Sequence, residues 1–169
     1  MTIEPRRFED PRGWFMETFN AALFREHGLP DVFAQDNQSR SSGGVVRGLH
    51  YQLEQPQGKL VRCTRGRILD VAVDIRRNSP HFGKWTSVEL TEESPRMVWI
   101  PPGFAHGFAV LSDSADVIYK CTTLWHKESD RSLLWNDAAI GIDWRVADPQ
   151  ISDKDKAGKP LAGAEVFQS

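Results

Sequence analysis

One short stretch gathers an unusual set of polar groups: Arg47-Gly48-Leu49-His50-Tyr51-Gln52, followed by Gln57-Gly58-Lys59. An imidazole can take up and return a proton near neutral pH, and a fixed cation can stabilise charge that develops on a neighbouring oxygen. Together they suit removal of a C–H proton beside a carbonyl. If the stretch is a strand, side chains alternate between faces, so Gly48, His50 and Gln52 share one side. Arg47, Leu49 and Tyr51 take the other, so Arg47 can join His50 only through a bulge or at the mouth of a site. A histidine alone reads as a hydrogen-bonded core residue, with Gly48 as a bulge. The company of Arg47, Gln52 and Lys59 favours a site.

Two further segments add chemistry. Pro102-Gly103-Phe104-Ala105-His106-Gly107-Phe108 is similar to the second motif of the cupin barrels, Pro-x-Gly-x-x-His. Cupin metal sites also need an upstream His-x-His pair and a carboxylate, whereas here the upstream residues are His50-Tyr51-Gln52, so a metal centre is disfavoured. The second segment is Asp116-Val117-Ile118-Tyr119-Lys120-Cys121, where Val117, Tyr119 and Cys121 share a face. Tyr119 by itself reads as an amphipathic core residue; beside a base and a cation it can act as a proton donor. Carboxylates able to orient His50 are Asp70, Asp74 and Asp155. Asp70 and Asp74 share one face of Leu69–Asp74 and require cationic or imidazole partners if buried.

These groups need a scaffold of strands. Val45–Gln52, Leu60–Thr64, Arg67–Ile75, Trp85–Leu90, Met97–Ile100, His106–Leu111 and Val117–Leu124 are short and rich in β-branched or aromatic residues, with turn signals between them. Many short strands indicate a sandwich or barrel. One helix is expected, over Ala21–His27, with Asn20 as its cap and Gly28 as its stop. Asp10–Glu17 and Gln35–Ser39 read as turns or edge strands. From about Asn136 the strand rhythm fades, and the remainder is expected to wrap the barrel as a tail. The Asp153-Lys154-Asp155-Lys156 cluster there is a candidate to close a site.

Composition narrows the function classes. The 169 residues suit one domain over 1–169, and 21 Lys and Arg against 23 Asp and Glu leave no global field for nucleic acid or a membrane surface. No apolar run approaches the about 20 residues of a membrane span, and no signal core follows Met1, so a soluble cytoplasmic protein is expected. Cys63 and Cys121 are expected as buried, reduced thiols.

Taken together the segments resemble the dTDP-4-dehydrorhamnose 3,5-epimerase family along nearly the whole chain. The matching stretches include DPRGWFME (10–17), QDNQS (35–39), VRGLHYQ (46–52), QGKLVR (57–62), DVAVDIR (70–76), SPHFGKW (79–85), IPPGFAHGF (100–108), Tyr119-Lys120, Trp135-Asn136-Asp137 and SDKD (152–155). The resemblance implies a cupin-like jelly-roll β-barrel forming a homodimer with exchanged N-terminal strands. It implies epimerisation of a dTDP-4-keto-6-deoxyhexose without cofactor or metal. His50 would be the base, assisted by Asp155; Tyr119 would be the acid; Lys59 would face the keto oxygen. Arg12, Glu17, Gln35, Asn37, Arg47, His106, Asp130 and Lys154 would contact the substrate, some from the partner subunit. Leu124-Trp125 stands where the family often has Tyr-Tyr, and Asp130 where it tends to have Glu, which leaves open whether one or two centres are inverted. The competing readings are a metal-dependent cupin enzyme and a non-catalytic sugar-nucleotide-binding barrel.

Overall fold

In the computed structural model, which describes residues 1–168, the chain runs through twelve strands and two short α-helices. In chain order these are β1 (Thr2–Ile3), β2 (Arg7–Asp10), β3 (Gly13–Met16), α1 (Ala21–Glu26), β4 (Gln35–Ser42), β5 (Val46–Gln52), β6 (Lys59–Arg65) and β7 (Arg67–Asp74). They continue with β8 (Trp85–Thr91), β9 (Met97–Ile100), β10 (Phe104–Val110), β11 (Ser114–Cys121), β12 (Asp130–Ser132) and α2 (Asp153–Lys156). Two five-stranded antiparallel sheets result, ordered β1-β9-β6-β11-β4 and β12-β5-β10-β7-β8, and β2 and β3 form a separate hairpin. No helix among the described residues is long and apolar enough to cross a membrane.

Three apolar layers hold this arrangement. Between the sheets, Val61, Cys63 and Val117 from one meet Ile68, Leu90, Phe108 and Val110 from the other. Outside the first sheet, Phe24 of α1 packs with Leu60, Met97 and Trp99. Outside the second, Leu49, Tyr51, Val71 and Val73 are covered by the C-terminal segment through Ile140, Trp144, Leu161 and Val166. The tail does wrap the sheets, fastened by parallel bridges of Gln150 to Val45 and Lys159 to Leu133. Burial on both sides explains why β7 and the residue that follows it place Val71, Val73 and Ile75 outward with Asp70 inward. Burying the apolar row at about 25 cal/mol per Å² stabilises the sheet, and Asp70 is tolerated because His106 bonds to it.

The expected helix forms, with Asn20 Oδ1 accepting from the amides of Ala22 and Leu23 and Gly28 following at φ +69°. Gln35–Ser42 is an edge strand and Asp10–Gly13 is the turn of the β2–β3 hairpin. The last long strand is displaced from the expected Val117–Leu124: β11 spans Ser114–Cys121. Thr122–Trp125 leaves the sheet because its backbone bonds to side chains from three other segments: Gln57 Nε2 to Thr123 O, Gln52 Nε2 to Leu124 O, and Trp125 N to Gln35 Oε1. Both cysteines are free and buried.

Candidate active site

His106 faces His50 across the β5–β10 ladder, and Phe108 faces Arg47, so β5 spends three residue steps where β10 spends two. That bulge puts Arg47 and His50 on the same inner face, against simple alternation. Gly48 and Gly107 meet back to back there: a Cβ on Gly48 would lie 2.5 Å from Gly107 Cα, and Gly48 has φ +125°. Only glycine fits both constraints. Arg47 then reaches across to β4 of the opposite sheet, where its Nε donates to Ser41 Oγ at 2.9 Å.

The inner faces of the sheets part at one end into a cavity of about 210 Å³, lined by His50, Gln52, Gln57, Lys59, Tyr119, Trp125 and, around the rim, Gln35, Asn37, Asp130 and Lys154. Cross-strand pairing accounts for the convergence. Tyr119 stands opposite Asn37 and Val61, and Cys121 stands opposite Gln35 and Lys59. A larger hollow of about 590 Å³ lies between the N-terminal segment and α1, but it contains none of the base, phenol or lysine groups.

His50 Nε2 lies 2.5 Å from Asp155 Oδ1, and the second carboxylate oxygen accepts from Gly48 N at 3.4 Å. Asp155 is carried by α2, whose cap Ser152 accepts from the Asp155 amide. Burial pushes the Asp155 carboxyl up, but the bond and charge of His50, the Gly48 amide and Ser152 outweigh it and hold the group below the ordinary carboxylate range. An ionised Asp155 must accept from Nε2–H, so neutral His50 carries its free lone pair on Nδ1.

Lys59 is only 8% exposed, and among the described residues its ammonium makes one hydrogen bond, a long one of 3.4 Å to His50 O. Burial pulls its ammonium below the usual lysine value, while Cys121, Asp130 and Asp70 act in the opposite sense. Tyr119 is pushed up by burial and by Cys121, and drawn down by Arg47. Burial likewise raises the Cys121 thiol, which accepts from Asn37 Nδ2 at 3.6 Å. At the rim, Lys154 Nζ pairs with Asp130 Oδ2 at 2.5 Å.

Of the three aspartates that could orient His50, Asp155 does so. Asp70 instead bonds His106 Nε2 at 2.8 Å, and Asp74 binds Arg76 and Ser79. His106 lies beside His50 on the inner face but does not line the cavity. Arg12 sits at the exposed hairpin turn paired with Asp10, and Glu17 accepts from Asn20 near α1, so neither reaches the cavity in this chain. Among the described residues, no group of three or more His, Cys, Asp or Glu side chains is placed to hold a metal ion. Gln57 and Trp125 line the cavity although neither was among the expected catalytic or substrate-contacting residues, and Gln52, read from the sequence as one of the polar groups around His50, lines it too. For Gln52 the strand alternation that it shares with His50 was the available signal.

A polarised imidazole, a buried ammonium and a partly buried phenol face one cavity between jelly-roll sheets, the arrangement of a cupin-like protein whose cavity carries groups able to give and take protons. Comparison with known proteins carries the assignment further. The family model described as dTDP-4-dehydrorhamnose 3,5-epimerase matches residues 1–163, and the chain belongs to that family. An enzyme of that name from Methanothermobacter thermautotrophicus is 55% identical over 98% of this chain and 91% of its own length. One from Pseudomonas aeruginosa is 53% identical over 98% and 92%. The crystal structure of dTDP-6-deoxy-D-glucose-3,5-epimerase from Legionella pneumophila, in complex with dTDP-4-keto-L-rhamnose, superposes with a TM-score of 0.96. It is 48% identical and covers 99% of this chain and 92% of that one.

Proposed function

We propose that the chain is a single-domain isomerase that epimerises a dTDP-4-keto-6-deoxyhexose at carbons 3 and 5, the centres beside the ketone. The observation that carries this reading is the convergence of the His50–Asp155 pair, Lys59 and Tyr119 on one cavity. Family membership supports it. In this reading His50 Nδ1 removes the proton at the carbon beside the ketone, and the C–H electron pair moves to the keto oxygen as an enolate. Lys59 sits where its charge can stabilise that oxygen, and the surrounding low dielectric strengthens the effect. Tyr119 then donates its phenolic proton to the opposite face of the ring, inverting the centre. Exchange with solvent restores neutral His50 and Tyr119. The positive charge of Arg47 lowers the cost of the transient phenolate.

The substrate contacts expected of Gln35, Asn37, Asp130 and Lys154 are supported by their place at the cavity rim. Contacts from Arg12 and Glu17 require a second copy of the chain. A homodimer with exchanged N-terminal strands accommodates them, and the exposed Phe8, Trp14 and Phe15 on the β2–β3 hairpin favour such a partner. A cytoplasmic location belongs to the same reading, supported by the two free thiols. Incubation with dTDP-4-keto-6-deoxyglucose in deuterated water tests the function. Deuterium should enter at carbons 3 and 5 with inversion at both. Entry at one carbon only would favour a mono-epimerase, the alternative motivated by Leu124-Trp125, and entry at neither would refute the reading.

A further inference from the structure

We propose that Ser39 is a positioning residue that acts through Tyr119, its hydroxyl donating a hydrogen bond to the phenolate left when the phenol gives up its proton; this rests on the epimerase reading above. β4 sends Gln35, Asn37, Ser39 and Ser41 to the inner face and the residues between them outward. Three of the four are committed. Gln35 Nε2 donates to Asn37 Oδ1 at 3.0 Å, Asn37 Nδ2 donates to Cys121 Sγ at 3.6 Å, and Ser41 Oγ accepts from Arg47 Nε at 2.9 Å. Ser39 is the exception: its hydroxyl oxygen is sealed from solvent and has no hydrogen-bond partner among the described residues. A buried polar group left unpaired lowers stability, and an alanine there would carry no such cost. A hydroxyl kept under those conditions is explained if it serves a state other than the resting one.

The register of β4 against β11 points to that state. Tyr119 stands opposite Asn37, Val117 opposite Ser39, and Ala115 opposite Ser41. Ser39 is therefore a diagonal neighbour of Tyr119 on one face, and such neighbours are within reach of an aromatic side chain. Along β4 it lies between the position that faces Tyr119 and Ser41, which anchors Arg47. Tyr119 also packs against the apolar cluster that contains Val117, the cross-strand partner of Ser39. In the resting site the phenol is neutral, held so by burial. When its proton passes to the ring carbon, the electron pair of the enolate forms the new C–H bond and the O–H pair stays on the phenol oxygen. A full negative charge then appears on Tyr119 with an unspent donor near it. Hydrogen bonds to an ionised acceptor are roughly twice as strong as neutral ones, so the bond from Ser39 gains most in the step that inverts the centre.

Ser39→Ala tests this on the full-length protein, with Tm, deuterium entry and product stereochemistry measured together. Removing an unpaired buried hydroxyl should raise Tm by about 2 °C or more, whereas removing a structural hydrogen bond would lower it. Deuterium entry, which needs only His50 and Lys59, should stay within about threefold of the parent, while inversion falls by at least about tenfold, the loss of one bond to a charged group. Ser39→Thr keeps the hydroxyl and should invert within about threefold of the parent; Ser39→Val, the same shape without it, should match Ser39→Ala. A Ser39→Ala protein whose inversion keeps pace with exchange, or a Ser39→Val protein that inverts as fast as Ser39→Thr, overturns the inference. So does a lowered Tm with exchange and inversion reduced alike. Parent protein that exchanges no sugar proton would refute the epimerase reading itself, a result separate from unchanged partitioning in an active enzyme.

Discussion

Replacing Asp155 by Asn changes one oxygen to an amino group at a site 3% exposed, so packing is kept and only charge and hydrogen-bond polarity are altered. Asp155 faces two donors, His50 Nε2–H at 2.5 Å and Gly48 N–H at 3.4 Å. An asparagine carbonyl can serve one of them. Pointing it at His50 sets the amino group against the Gly48 N–H. Pointing it at Gly48 sets the amino group against Nε2, and both contacts are then satisfied if the imidazole proton moves to Nδ1. The second arrangement is favoured because no donors are opposed. Neutral His50 then presents N–H where the substrate proton must be taken.

The first arrangement would cost only the charge assistance, about 1.5–3 kcal/mol, or roughly 10- to 150-fold in rate. The second costs about 10⁴-fold, the size of a wrong-tautomer loss in a hydrolase triad. Deuterium entry at carbons 3 and 5, followed by mass spectrometry, should fall by at least about 10²-fold and toward the larger figure. The substitution also carries a pH signature. Because the folded-state carboxyl is held below its ordinary value, Asp155 contributes stability that is present above the ordinary carboxylate range and lost as pH falls through the folded value. The difference in Tm between Asp155→Asn and the parent should therefore shrink on acidification below about pH 4. An Asp155→Asn protein exchanging within about tenfold of the parent would falsify the base assignment.

Tyr119→Phe keeps the ring and removes the phenolic proton, so His50 can still take a proton and return it to the same face; deuterium should enter with little net inversion, and normal inversion would remove Tyr119 from the mechanism. Lys59→Met should lower turnover by at least about 10²-fold while dTDP affinity, read by calorimetry, is largely kept; collapse of dTDP binding with normal turnover of bound substrate would make Lys59 a phosphate ligand instead. The same substitution should raise Tm at neutral pH, since it removes a charge whose burial is unfavourable. In the parent, by the same sign, stability should rise as pH increases between the depressed folded value of Lys59 and its ordinary one. Exhaustive chelation should leave activity intact; loss on EDTA treatment, restored by one added metal, would refute a metal-free mechanism.

The residue types and their order along the chain were sufficient to single out His50, Lys59 and Tyr119 as candidates, because each group's chemistry is intrinsic to its side chain. Periodicity likewise determined most strands and the helix capped by Asn20, since alternation and capping are local effects. The face of Arg47 was not local. It depends on the one-residue bulge in β5 opposite His106 and Phe108, which exists only once β10 is alongside and Gly48 meets Gly107. The residues alone left Asp70, Asp74 and Asp155 open as partner of His50, and it was the family resemblance that named Asp155. All three are aspartates, and only the return of the tail across the second sheet brings Asp155 to Nε2 while β7 commits Asp70 to His106. The end of β11 shows the same division. Thr122–Trp125 reads as strand from its own residues, but Gln35, Gln52 and Gln57, distant in the chain, take up its backbone groups and turn Trp125 toward the cavity. A backbone hydrogen bond to a remote side chain leaves no periodic trace in the segment that receives it, so only the assembled sheets could decide that position.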